Sequence, residues 1–209
     1  MSTLKLQGMQ PLFYSPLTIF EMEDYQALNS QLLSEIGALQ ADSSGMKRSN
    51  WGGWHSDDDF FMRSEPGFQA LRNHIVEAIQ LATKNVSPDF DFPLYSIQAE
   101  GWVNVLGHGG LNTPHDHPNW TWSGCYYVSV PEGDKDLSGS IEFFDTRTNV
   151  RTLAVDGAGC FASKFIMKPQ AGMLLIFPSY LRHWVYPNES EEDRISIAFN
   201  ARFAKTIRS

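Results

Sequence analysis

The residues best suited to chemistry are two histidines one residue apart, His115 and His117 in TPHDHPNW, and a third, His183, in GMLLIFPSYLRHWV. Side chains at i and i+2 of a strand point to one face, so both imidazoles of the pair can turn toward one centre. Pro114 and Pro118 bracket the pair. Prolines suit strand ends and edges, which leaves a short stiff segment that fixes ligand direction. His183 follows an apolar run that reads as a buried strand closed by Pro178. Three neutral nitrogens from two strands occupy one face of an octahedron and leave three positions open, as a non-haem iron centre requires. A structural zinc site would be closed and four-coordinate, usually with cysteines. Any one of these histidines alone reads as an ordinary core or surface residue; the pair in a β-context with a third near a strand end points to metal. His55, His74 and His108 keep the ordinary reading, His74 on a predicted helix and His108 in a glycine-rich turn.

Arg194, in EEDRISIAFN, opens an otherwise apolar strand, and a cation pointing inward there needs a partner. Ser196 shares its face. Guanidinium and hydroxyl together suit a carboxylate, with a charge-assisted hydrogen bond contributing roughly 1.5–3 kcal/mol. That is enough to orient a dicarboxylate whose other end chelates the metal. The competing reading is a surface salt bridge to Glu191, Glu192 or Asp193. Of the adjacent Tyr126 and Tyr127 only one can face inward; Tyr126 shares the parity of Gly124 and Val128, and is taken as the phenol that hydrogen-bonds a cosubstrate. Asn104, polar between Val103 and Val105, is a second candidate for the cavity wall. Trp120 and Trp122 suit the substrate entrance, with core packing favoured for at least one. Asp57-Asp58-Asp59 reads as a solvated loop or helix cap rather than a metal site, because nothing nearby supplies the remaining ligands.

These groups need strands to position them. From Leu94 onward IQAEGWVNVLG, WTWSGCYYVSV, GSIEFFDTR, GMLLIFPS and RISIAFNARF are short β-branched and aromatic runs separated by Gly, Pro, Asn and Asp, the pattern of successive strands. Upstream, apolar residues at three- and four-residue steps predict helices over 23–39 (Tyr25, Leu28, Leu32, Leu33, Ile36, Leu39) and 66–85 (Phe68, Leu71, Ile75, Ile79, Ala82). SNWGGWHSDDDFF, residues 49–61, reads as a loop or strand edge. The expected fold is α+β, mainly β: a double-stranded β-helix (jelly roll) over 94–209, with a mostly helical buttress over 1–93 packed outside it, as one domain over 1–209.

The chain has 209 residues and a formal net charge of −8. With no Lys/Arg run, this argues against a nucleic-acid partner. No run of apolar residues is long enough to span a membrane, and the N-terminus lacks a secretory apolar run. Cys125 and Cys160 lie far apart and read as reduced thiols of a cytoplasmic protein. Small-molecule and peptide substrates remain open, as does a homodimer.

The segments SNWGGWHS, WVNVLGHGGLNTPHDHP, SGCYYVSVP, GSIEFFDTR, GMLLIFPSYLRHWV and DRISIAFN together resemble the 2-oxoglutarate/iron(II) oxygenase family of bacteria and marine phages that carries a His-x-His-Pro motif. They run in the family's order and cover nearly the full length. The resemblance implies a jelly-roll fold, iron(II) and 2-oxoglutarate as cofactor and cosubstrate, and oxidative decarboxylation of 2-oxoglutarate to succinate and CO2; it implies no substrate, and hydroxylation of a small molecule or peptide is the expected overall reaction. Within such a site, His115, His117 and His183 are expected to hold the metal and Arg194 and Ser196 to anchor the cosubstrate, with Tyr126 and Asn104 as candidates for the cavity wall that could equally be structural. One departure matters: relatives mostly pair two histidines with one carboxylate, and His117 stands where that Asp would be. Asp116 is the reserve ligand, reachable only through a bulge, and Asp145 a more distant one. Two other readings stay open: a cupin-like three-histidine metal dioxygenase that does not use 2-oxoglutarate, and a non-catalytic jelly-roll binding module.

Overall fold

The computed structural model describes residues 5, 7–10, 12–131, 137–147 and 158–206, so the N-terminal stretch read for a secretory signal lies partly outside the described residues. Strand β1 (Thr18–Glu21) leads into helix α1 (Tyr25–Asp42), then β2 (Asn50–His55) and helix α2 (Pro66–Val86). Seven strands follow: β3 (Tyr95–His115), β4 (Trp122–Ser129), β5 (Ile141–Phe144), β6 (Lys164–Met167), β7 (Met173–Pro178), β8 (His183–Val185) and β9 (Arg194–Lys205). Both helices form where the apolar period predicts them, with small displacements at their ends. The N-terminal part is less helical than expected, because β1 and β2 pair with β7 and β3.

Among the described residues the strands form one curled antiparallel sheet in the order β1-β7-β4-β9-β3-β8-β5-β6, with β2 also on β3. This is the jelly roll. Its pivot is the long strand β3. Its first half pairs with β9, ending at Leu106 opposite Arg194. Its last residues pair with β8, His115 lying directly opposite His183. The bend between falls at Gly107–Gly110, where Gly109 adopts φ 75°, a conformation open to glycine without steric cost. Asn188 clamps the bend: its carbonyl accepts from the Gly109 amide (2.6 Å) and its amide donates to the Gly110 carbonyl (2.8 Å).

Side chains alternate across this sheet. On the outer face Val103, Val105, Ile195, Ile197, Phe199, Tyr126, Val128, Leu174 and Ile176 pack against Phe68, Leu71, Ile75, Ile79 and Ala82 of α2 and Leu32 and Ile36 of α1. On the inner face Tyr127, Ile141, Phe143, Met173, Leu175 and Phe177 form a second core. The helices thus buttress one face and leave the other for the site. α2 is itself anchored by α1: Glu35 accepts from the amides of Gly67 (2.8 Å) and Phe68 (3.0 Å), satisfying donors that a helix start leaves open.

Candidate metal centre and cosubstrate cavity

Three imidazoles meet where β3 and β8 end. His115 is the last residue of β3 and His183 the first of β8; as cross-strand partners their ring centroids lie 4.5 Å apart. His117 sits two residues past the strand. Its amide donates to the Ser179 carbonyl (3.0 Å), and its ring lies 4.9 Å from His115 and 5.4 Å from His183. One ligand nitrogen from each of the three residues lies within 4.8 Å of the other two.

Local backbone sets the tautomers. His115 Nδ1 lies 2.6 Å from the Thr113 carbonyl and His183 Nδ1 2.9 Å from the Leu181 carbonyl. A carbonyl can only accept, so Nδ1 carries the proton in both and the Nε2 lone pair is free for a metal. His117 Nδ1 instead lies 3.3 Å from Asn200 Nδ2. Burial pushes all three imidazoles down: His117 to about 4, helped by the neighbouring His115, and His183 to about 3, helped by His115 and His117. All are therefore neutral at pH 7, the form a metal binds.

Behind them lies the inner face of β3, β4 and β9. Arg194 is 1% exposed. Its Nε donates to the Gly139 carbonyl (3.0 Å), its Nη1 donates to Ser196 Oγ (3.3 Å), and its guanidinium stacks 5.0 Å over the Tyr127 ring. No carboxylate pairs with it among the described residues, so the surface bridge to Glu191, Glu192 or Asp193 does not form; Glu191 instead meets His108 (3.4 Å). Asn104 lies across from Ser196. Two buried polar atoms here, Tyr127 Oη and Asn104 Oδ1, have no hydrogen-bond partner among the described residues. Buried groups left in this way cost about 1–3 kcal/mol each. A cavity with an unpaired guanidinium and a phenol lacking an acceptor fits the carboxylate end of a dianion, and the neutral nitrogen cluster fits a divalent metal.

The expectation for Tyr126 is overturned. Its side chain lies on the outer face, and its hydroxyl donates to Asn29 Oδ1 (2.6 Å), while Asn29 Nδ2 donates to the Val128 carbonyl (2.7 Å). Tyr127 is the inward phenol. Gly124 carries no side chain to mark a face, and Val128 belongs to the helix-facing core, so the parity was assigned backwards. The reserve carboxylates also fall away. Asp116 is exposed and outside the histidine cluster, and Asp145 is bound by Arg147 (2.6 Å). Trp122 goes to the core, its Nε1 donating to Thr83 Oγ1 of α2 (2.9 Å), and Trp120 stacks under Arg202 on the surface. Asp58 and Asp59 pair with Arg48 and Arg63.

Sequence reasoning missed Glu100, Trp102 and Asn200. Trp102 walls the centre, its ring stacked on His55 (5.4 Å) and tilted at 47° to His117 (5.8 Å). Asn200 Nδ2 reaches Glu100 Oε1 (3.0 Å) as well as His117, and its Oδ1 accepts from Ser123 (2.7 Å). The signal was available: counting in twos from Asn104 gives Trp102 and Glu100, and from Ser196 gives Asn200.

Residues 100–200 match the family described as "Putative 2OG-Fe(II) oxygenase". No curated protein matches the sequence. Among solved structures, a Pseudomonas putida prolyl-4-hydroxylase is similar at TM-score 0.60 and 16% identity, over 89% of this chain and 91% of that one. A Trichoplax adhaerens prolyl hydroxylase, in complex with a hypoxia-inducible-factor peptide fragment, gives 0.64 and 15%, over 88% and 82%. SnoN, an epimerase in complex with Fe3+, alpha ketoglutarate and nogalamycin RO, gives 0.62 and 13%, over 91% and 81%. At these identities the likeness is one of fold. The chain carries a domain of the 2OG-Fe(II) oxygenase family. It is a dioxygenase of the class that uses iron(II) and 2-oxoglutarate.

Proposed function

We propose that His115, His117 and His183 hold iron(II), that Arg194, Ser196 and Tyr127 hold the far carboxylate of 2-oxoglutarate with Asn104 beside them, and that the enzyme hydroxylates a peptide or small molecule. The observation that carries this is a buried guanidinium that pairs with no carboxylate among the described residues, in one cavity with three neutral imidazoles. Bound together, iron(II) and 2-oxoglutarate supply the oxidant: oxygen and 2-oxoglutarate are consumed, one oxygen atom enters succinate with loss of CO2, and the other hydroxylates a C–H bond.

The chain's own residues do the rest. His115 and His183 present Nε2 because their Nδ1 protons are committed to backbone carbonyls. For His117 to bind through Nε2, its proton must sit on Nδ1, and Asn200 must then turn its amide oxygen toward that nitrogen. Ser123 Oγ, a donor and an acceptor, tolerates either orientation of the amide. Arg194 and Tyr127 fix the distal carboxylate by charge and by one O–H donor. Phe177 and Phe143, packed beside His183, keep water from the inner side. With no carboxylate ligand, the full +2 charge is left for the 2-oxoglutarate dianion to neutralise, which strengthens its binding. The two free cysteines fit a reducing compartment such as the cytoplasm.

Anaerobic addition of iron(II) and 2-oxoglutarate together should produce a visible charge-transfer absorption that neither gives alone, and His183→Ala should lose it. Absence of that absorption, together with no tight iron binding, would sink the proposal. The cupin-like alternative separates on Arg194→Ala: the 2-oxoglutarate requirement rises sharply under this proposal and does not move under the other.

A further inference from the structure

On the far side of the three histidines from Arg194 opens a cleft of about 310 Å³, lined by Arg48, His55, Asp58, Glu100 and Trp102. Its position follows from register. Along β3 and β9 the inward pairs run from Leu106 and Arg194 at the closed end, through Asn104 and Ser196, to Glu100 and Asn200 beside His117. A substrate held in this cleft would lie next to the metal ligands and away from the cosubstrate's anchor. The site so defined rests on the function proposed above.

The charges of the cleft do not cancel. Arg48 and Asp58 neutralise each other at 2.9 Å. Glu100 is half-buried and takes a single hydrogen bond, from Asn200 Nδ2 at 3.0 Å; when Asn200 turns its oxygen to His117 in the metal-bound form, that bond is given up and the carboxylate is left for a ligand to satisfy. No Lys or Arg pairs with it among the described residues. A clefted charge of one sign attracts its opposite in a ligand, and the buried Trp102 indole, covered by His55, forms the apolar wall beside it. The metal centre adds nothing repulsive, since the 2-oxoglutarate dianion offsets the +2 charge behind it. We infer that the substrate carries a cationic nitrogen, an ammonium or guanidinium, which pairs with Glu100 while the C–H bond to be oxidised faces the three histidines.

The test titrates the anaerobic iron(II)- and 2-oxoglutarate-loaded protein with three probes by calorimetry: N-acetyl-L-lysine amide, the neutral N-acetyl-L-norleucine amide and the anionic N-acetyl-L-glutamate α-amide. The lysine probe should bind at least tenfold more tightly than the other two, and in Glu100→Gln that preference should shrink to within twofold. Equal binding of the lysine and norleucine probes, no measurable lysine binding, or a preference that survives Glu100→Gln would each overturn the inference. The same titrations on the metal-free chain keep the two ideas apart. If the wild type gives no iron–2-oxoglutarate absorption, the proposed function fails, while the lysine preference is still read on its own.

Discussion

Tyr126 and Tyr127 are neighbours in sequence and opposite in role, because a strand sends successive side chains to opposite faces. Tyr126 donates to Asn29 and ties the sheet to α1. Removing its hydroxyl leaves Asn29 Oδ1 buried and unpaired, so Tyr126→Phe should cost about 1–3 kcal/mol in stability and leave the Michaelis constant for 2-oxoglutarate near its wild-type value. Tyr127 Oη makes no hydrogen bond among the described residues, so Tyr127→Phe should melt no lower than the wild type, and higher by up to the cost of a buried unpaired hydroxyl, about 1–3 kcal/mol. Instead it should raise that Michaelis constant roughly tenfold, the scale of one charge-assisted hydrogen bond. Denaturation midpoints and succinate-formation kinetics on the two variants check this, and a swap of the two phenotypes would show that the faces have been assigned wrongly. The histidine pair stood out by its spacing, but His117 lies two residues past β3, where its amide bond to the Ser179 carbonyl rather than the period of a strand sets its place.

At the scale of elements, legibility followed how far each run repeats. α1 and α2 carry their apolar stripe through several turns, and β3, β4, β7 and β9 are long enough to alternate visibly. TIFE, the whole of β1, is only 4 residues and borrows its place from β7. β8 has 3 residues, too few to show a period, and it became a strand because His183 and Val185 find partners on β3. Gly52 and Gly53 hid β2, though Gly53 is there for contact: a Cβ would lie 2.7 Å from the Val105 carbonyl oxygen. The link between α1 and α2 had no local signal at all, since Glu35 caps a helix that starts 31 residues later, at Pro66. Glu35→Ala should therefore lower stability by about 1 kcal/mol, the usual value of a helix N-cap, read as a shifted urea midpoint. An unchanged midpoint would mean that the carboxylate is ornamental.

The whole molecule should feel its buried imidazoles through pH. His55, His115, His117 and His183 all titrate below their ordinary value because burial disfavours their charged forms. Above pH 6.5 both folded and unfolded chains are neutral at these sites, so they contribute no pH dependence. As pH falls through 6.5 the unfolded chain takes up protons that the fold refuses, and stability is lost. The loss is complete only near 4 for His117 and 3 for His183. Between pH 7 and 5, where carboxylates barely titrate, the metal-free protein should lose on the order of 1 kcal/mol per pH unit for each of His117 and His183, with His55 and His115 adding to the loss in the same direction. Thermal melts at those pH values measure it, and a flat profile would contradict the burial of the cluster.

The bent strand β3 acts as a ruler for both halves of the site. Counted in twos, its first half sets the row Glu100, Trp102 and Asn104, and its far end delivers His115. Deleting one residue inside the first half would turn Val103 and Val105 into the cavity and send that row to the helices. A gain or loss within Gly107–Gly110 leaves both phases intact. An insertion or deletion in this strand should therefore be tolerated best at its glycines, where it costs the Asn188 clamp but not the phase of the site.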